Sequence, residues 1–78
     1  MEQMTLGKLI QELLAIYNAD PKNRYKKIIV ADDEEGNGYH GMFYSPTADP
    51  NEIKKAIDYS NGVYDTDTKD PNELIIIG

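Results

Sequence analysis

Residues 31–41 read Ala-Asp-Asp-Glu-Glu-Gly-Asn-Gly-Tyr-His-Gly, which places four consecutive acids, a Gly-Asn-Gly step and the only histidine of the chain in one short stretch. Residue types in this pattern support three kinds of chemistry. Carboxylate and imidazole groups together bind divalent metals, and zinc accepts both at about 2.0–2.2 Å. An aspartate beside a histidine is also a general acid–base pair. The third reading is a plain turn, in which Gly36 and Gly38 supply positive φ, Asn37 tolerates it, and the acids keep an exposed tip in water.

The metal reading depends on how the flanking residues pair. If residues 34–38 connect two antiparallel strands, Asp33 stands opposite Tyr39 and Asp32 opposite His40. Opposed residues share a face with Cβ atoms about 4.5–5.5 Å apart. Asp32 and His40 would then hold one divalent ion, with Asp33, Glu35 or Asn37 completing its shell from the loop, and zinc is favoured over calcium. A one-residue slip would send the two side chains to opposite faces. Counted from Asp33, the loop imitates the start of a calcium hand, with Asp33, Glu35 and Asn37 at alternate positions and Gly38 next. The position that needs a bidentate glutamate is Tyr44, and strands replace the flanking helices, so a true calcium hand is excluded.

Catalysis has little else to draw on. No Gly-x-Ser-x-Gly elbow, no phosphate-cradling loop with a lysine and no cysteine occurs. A chain of this length also offers little room for a substrate cleft of roughly 300–1,000 Å³. The expectation is a non-enzymatic protein.

The elements that must position the acidic stretch follow from periodicity. Thr5 is a helix cap, and Leu6, Leu9, Ile10, Leu13, Leu14 and Tyr17 recur on one helical face before Asp20-Pro21 stops the helix. This apolar stripe is expected to be core. "RYKKIIVA" and "YHGMFYS" read as two strands joined by the acidic turn. Asp49, Pro50 and Glu52 form a capping-box entry to a second helix with Ile53, Ala56 and Ile57 on one face and Asn61-Gly62 as its stop. "ELIIIG" reads as a last strand buried on both faces. Asp-Pro-Asn-Glu occurs at 49–52 and again at 70–73, a shared turn chemistry with unlike flanks. The predicted fold is a single α+β domain over residues 1–78, in the order α-β-β-α-β. Its three-stranded antiparallel sheet has the order 2-1-3 and carries both helices on one face.

Composition narrows the partners. Among 78 residues, 14 are acidic and 8 basic, for a formal charge of −6. That balance argues against direct binding to a nucleic-acid backbone, which needs cations to displace counterions. It suits docking onto a basic groove of another protein. The absence of cysteine fits a reducing cytosol. No apolar run approaches the ~20 residues needed to cross a bilayer, and "MEQMTLGKLI" has no basic n-region, so a soluble intracellular protein is expected, with no membrane partner. Tyr39, Tyr44, Tyr59 and Tyr64, with Phe43, are aromatic residues of the kind enriched at interfaces. An open sheet edge would also allow two copies to pair, so both monomer and homodimer are consistent with the chain.

"TLGKLIQELL" followed by "KKIIVADDEEGNGYH" resembles a group of small bacteriophage and prophage proteins. These join a Thr-x-Gly-x-Leu-Ile helix to a strand that ends in an Asp-x-Glu-Gly-Asn-like turn. The likeness covers about the first half of the chain, and nothing from Ser45 onward has a counterpart. In particular the chain is similar to type II anti-CRISPR proteins, which bind Cas9 and prevent nucleic-acid loading. The resemblance implies a phage-encoded inhibitor of a host defence protein, Cas9 or another nuclease, acting in the cytoplasm of an infected bacterium. It implies contact through the acids Asp33, Glu34, Glu35, Asp65, Asp67 and Asp70, to which the interface-type residues Tyr39, Tyr44 and Tyr64 are added, and it supplies no catalytic residue. Two alternatives remain: a phage accessory or regulatory module with no defence target, and a metal-dependent enzyme using Asp32 and His40.

Overall fold

A computed structural model describes residues 3–59 and 62–78. Helix α1 spans Leu6–Ala19. Thr5 caps it as expected, its hydroxyl accepting from the Lys8 N–H at 3.2 Å. Asp20 leaves the helix with extended backbone and then caps a 3-10 helix, Pro21–Tyr25, by accepting from the Lys22 N–H at 2.9 Å.

The strands are β1, Ile29–Ala31, and β2, Tyr39–Gly41, paired antiparallel with Val30 opposite His40 and Ala31 opposite Tyr39. They are followed by helix α2, Pro50–Asp58, and a 3-10 turn at Pro71–Glu73. The expected helix entry is present, with Asp49 as cap accepting from the Asn51 N–H at 3.0 Å and Pro50 in the first turn. The capping box does not close. The Glu52 carboxylate instead accepts from the Tyr44 hydroxyl at 3.0 Å, and the Asp49 N–H donates to Thr47 Oγ1 at 3.1 Å. Asn61 lies outside the described residues, whereas Gly62 adopts φ +52° and donates to the Tyr59 carbonyl at 2.8 Å.

The expected three-stranded sheet in the order 2-1-3 is not formed, and the described residues contain one two-stranded sheet. The C-terminal segment lies beside the chain that leaves β2, away from β1. Thr47 and Ile76 exchange backbone hydrogen bonds of 3.0 and 2.9 Å, and Phe43 N–H donates to the Gly78 carbonyl at 3.3 Å. Beyond this isolated bridge and the Phe43–Gly78 bond, the segment forms no further ladder among the described residues. Leu74 and Ile76 are half-buried while Ile75 and Ile77 are exposed. The apolar run therefore covers one face only.

The second correction concerns α1. Its apolar stripe is not core. Leu6, Ile10, Leu13, Leu14, Ile16 and Tyr17 are all exposed, and Leu9 is half-buried. The helix packs mainly on the 3-10 turn that follows it. There Asn23 Nδ2 donates to the Ile16 carbonyl at 2.6 Å and Arg24 lies 5.1 Å from the Tyr17 ring centroid. The core centres on α2, where Ile53 is 1% exposed and Ala56 and Ile57 are half-buried.

Because Ile53 is the one fully buried large side chain among the described residues, Ile53→Ala is expected to lower unfolding free energy by about 2–5 kcal/mol. Native stability is only about 5–15 kcal/mol, so the urea midpoint should fall sharply. A midpoint unchanged from the parent would show that the core lies elsewhere.

Candidate functional site: an acidic depression

Asp33 organises the turn between β1 and β2. Its Oδ1 accepts from the Glu35 N–H at 2.9 Å and the Asn37 N–H at 3.1 Å, and its Oδ2 accepts from Asn37 Nδ2 at 2.9 Å. Gly36 takes φ +70°, the left-handed conformation expected of it, whereas Gly38, of which the same was expected, and Asn37 do not. The carboxylate thus closes an Asx turn around itself. The Asn37 N–H, the Asn37 side-chain amide and the Glu35 N–H hold the Asp33 carboxyl below its ordinary value of 3.8.

Asp32 and His40 do meet, though not as directly opposed residues. The Asp32 N–H bonds to the Gly38 carbonyl at 2.9 Å, and Val30 faces His40. Relative to the expected pairing the register is displaced by two residues, which preserves the face of every side chain. Asp32 and His40 become diagonal neighbours, and Asp32 Oδ1 lies 2.7 Å from His40 Nδ1. Gly38 makes the diagonal possible, since a Cβ there would stand 2.5 Å from Asp32 Oδ2. An ionised carboxylate only accepts, so His40 Nδ1 carries the proton. Nε2 faces the Gly78 backbone, 3.7 Å from where a Cβ on that residue would be.

This geometry bears on the metal ligands expected from sequence. Asp33 and Asn37 are engaged with each other, and Asn37 Nδ2 also reaches Glu35 Oε2 at 3.5 Å. No group of three or more His, Asp or Glu side chains among the described residues converges as a metal site requires. Zinc would find two ligands, Asp32 and His40, in place of the five expected. The same pair has the form of a base with its orienting carboxylate, but no nucleophile is hydrogen-bonded to His40 among the described residues.

The structure instead joins the two acidic segments. Asp32, Asp33, Glu34 and Glu35 line one side of an open depression of about 1080 Å³, and Tyr64, Asp65, Thr66 and Asp67 line the other. Six of the eight lining side chains are carboxylates and none is basic. The second segment is held by a residue that the sequence reading missed. Gln3 Oε1 accepts from Thr66 Oγ1 at 3.1 Å and from the Asp67 N–H at 2.8 Å, tying the loop to the start of α1. Asp65 adopts φ +54°, a conformation Asp tolerates better than most residues.

Of the expected contact residues, Asp33, Glu34, Glu35, Tyr64, Asp65 and Asp67 are brought together here. Three are not. Tyr44 is bonded to Glu52, Asp70 caps the Pro71–Glu73 turn through the Asn72 N–H at 2.9 Å, and the Tyr39 hydroxyl lies over Gly36. Both Asp-Pro-Asn-Glu copies thus open a helical turn. In each, a threonine two residues earlier accepts from the aspartate N–H at 3.1 Å, so the real unit is Thr-x-Asp-Pro-Asn-Glu. That longer pattern is visible in the sequence at 47–52 and 68–73.

No family model matches the chain, and no curated protein or solved structure matches it. No helix of the described residues is long and apolar enough to cross a membrane.

The lowered Asp33 pKa fixes the pH response of the turn. Stabilisation by the ionised carboxylate is fully present above the ordinary value of 3.8 and is lost as pH falls through the lower, folded value. An NMR titration should therefore give Asp33 a midpoint below 3.8, with the Asn37 amide shift following it. A midpoint at or above 3.8 would contradict the Asx turn.

Proposed function

We propose that the protein is a non-enzymatic binding module that docks its acidic depression onto a basic surface of a partner protein. The observation that supports this reading is the convergence of residues 32–35 and 65–67, distant in sequence, on one open surface without a basic side chain in its lining. Like charges repel, so gathering six carboxylates costs stability unless a cationic partner offsets it. The Gln3 and Asp33 hydrogen bonds hold the two segments in place before any partner arrives. Such preorganisation lowers the ordering cost of binding.

The resemblance to phage-encoded inhibitors makes the finer reading a host defence protein in the bacterial cytoplasm. Cas9 is the specific candidate, because its nucleic-acid channel is the kind of basic groove an acidic surface would occupy. On this reading the carboxylates stand in for phosphates. A regulatory module with another basic protein as partner would use the same surface.

Co-purification with Cas9, or capture of partners from host lysate, tests the proposal directly. Exposed charge pairs are screened over about 8 Å at physiological ionic strength. The complex should therefore weaken progressively with added salt. Charge reversal by Glu34→Lys with Asp67→Lys should weaken it at least about tenfold, which corresponds to about 1.4 kcal/mol. A complex indifferent to both salt and charge reversal would overturn docking through the depression. Failure to bind Cas9, with another basic protein captured instead, would remove the finer reading alone.

A further inference from the structure

A second surface of the molecule is apolar and uncovered, and it is unrelated to the acidic depression. At 3.6 residues per turn, the seven large apolar side chains from Leu6 to Tyr17 occupy an arc of about 160° on α1. Leu13, near its centre, is 47% exposed. The hairpin carries a second such face. Ile29 and Gly41 are paired, as are Ala31 and Tyr39, so these four positions share one side of the sheet. Ile29 is 65% exposed and Phe43, whose ring folds over Gly41, is 94% exposed.

A helix stripe and a sheet face are the two halves of an ordinary helix-on-sheet layer. Within one copy they are apart, since α1 packs on the 3-10 turn that follows it and does not touch the hairpin strands. Gln3 ties its start to Thr66 and Asp67. Asn23 and Arg24 hold its last turns through Ile16 and Tyr17. Swinging α1 over its own hairpin would break the Gln3 bonds to Thr66 and Asp67.

We infer that a second copy of the chain covers both faces, with α1 of each copy seated on the hairpin of the other. A twofold contact requires a surface that is complementary to itself, and a chain exposing both halves of one layer meets that requirement. Charge also favours it. In a molecule of net charge −6, residues 28–31 and 39–43 carry only His40 as an ionisable group besides Tyr39, and His40 belongs to the opposite side of the hairpin. The charges of α1, Lys8 and Glu12, pair with each other at 3.7 Å on its polar side. These are the faces on which two acidic copies meet without opposing carboxylates.

Light scattering on the full chain, over a range of concentrations, should report twice the monomer mass. Leu13→Lys and Ile29→Lys should each raise the dimer dissociation constant at least about tenfold. Gln11→Lys, on the polar side of α1, should leave it unchanged. Mixing the Leu13→Lys and Ile29→Lys chains should restore a heterodimer, because one of its two contacts then contains no substitution. That recovery also shows that both variants are folded. A monomeric parent at every concentration would overturn the inference. So would a dimer that Ile29→Lys leaves intact, or a mixture that gains nothing over either variant alone.

Discussion

One copy of this chain does not bury its own apolar surface, and most of the structure follows from that shortage. Ile53 alone among the large side chains is fully buried in the described residues. A domain of this size buries only about 60% of the surface its unfolded chain exposes, so it begins with little margin. An isolated helix of about 12–15 residues is itself marginal in water. Helix α1, with 14 residues and an open stripe, falls in that range and packs mainly on the turn beside it. Its apolar face is therefore better understood as half of a contact than as a core.

Where apolar packing is scarce, aspartate supplies the local order. Asp20, Asp49 and Asp70 each precede a proline and each accept the backbone N–H two residues on. Asp33 does the same for Glu35 and extends the pattern to Asn37. These carboxylates act on their own backbone, fixing turns that would otherwise fray. Asp32, Glu34, Glu35, Asp65 and Asp67 make no such contact with the backbone two residues on, and the folded turns gather them around one depression. Acidic residues thus play two roles, fixing turns and lining the depression.

The local elements were legible in the sequence for the same reason. Thr5, Asp20, Asp49 and Pro50 act through neighbours a few residues away, so their types and spacing determine what they do. The meeting of Asp32 with His40 was also foreseeable, although the register was not. A two-residue displacement leaves the faces unchanged, and Gly38 admits the diagonal reach. What the sequence does not encode locally is which surface covers which. The stripe of α1 announces an apolar face without saying that its cover lies outside the copy. The Ile75–Ile77 run gives no sign that it will bridge Thr47 rather than pair with β1. Gln3 carries no motif, and its link to Thr66 and Asp67 spans nearly the whole chain.

The apolar faces stay open because α1 lies clear of its own hairpin. Hydrogen–deuterium exchange of the α1 amides, followed from low to high protein concentration, tests that arrangement most directly. A helix whose apolar stripe is covered only by another molecule should exchange rapidly when dilute and gain protection as concentration rises. The Ile53 amide in α2 should change little over the same range. Strong protection of α1 at every concentration would contradict the account, since it would place the cover for that stripe within a single copy.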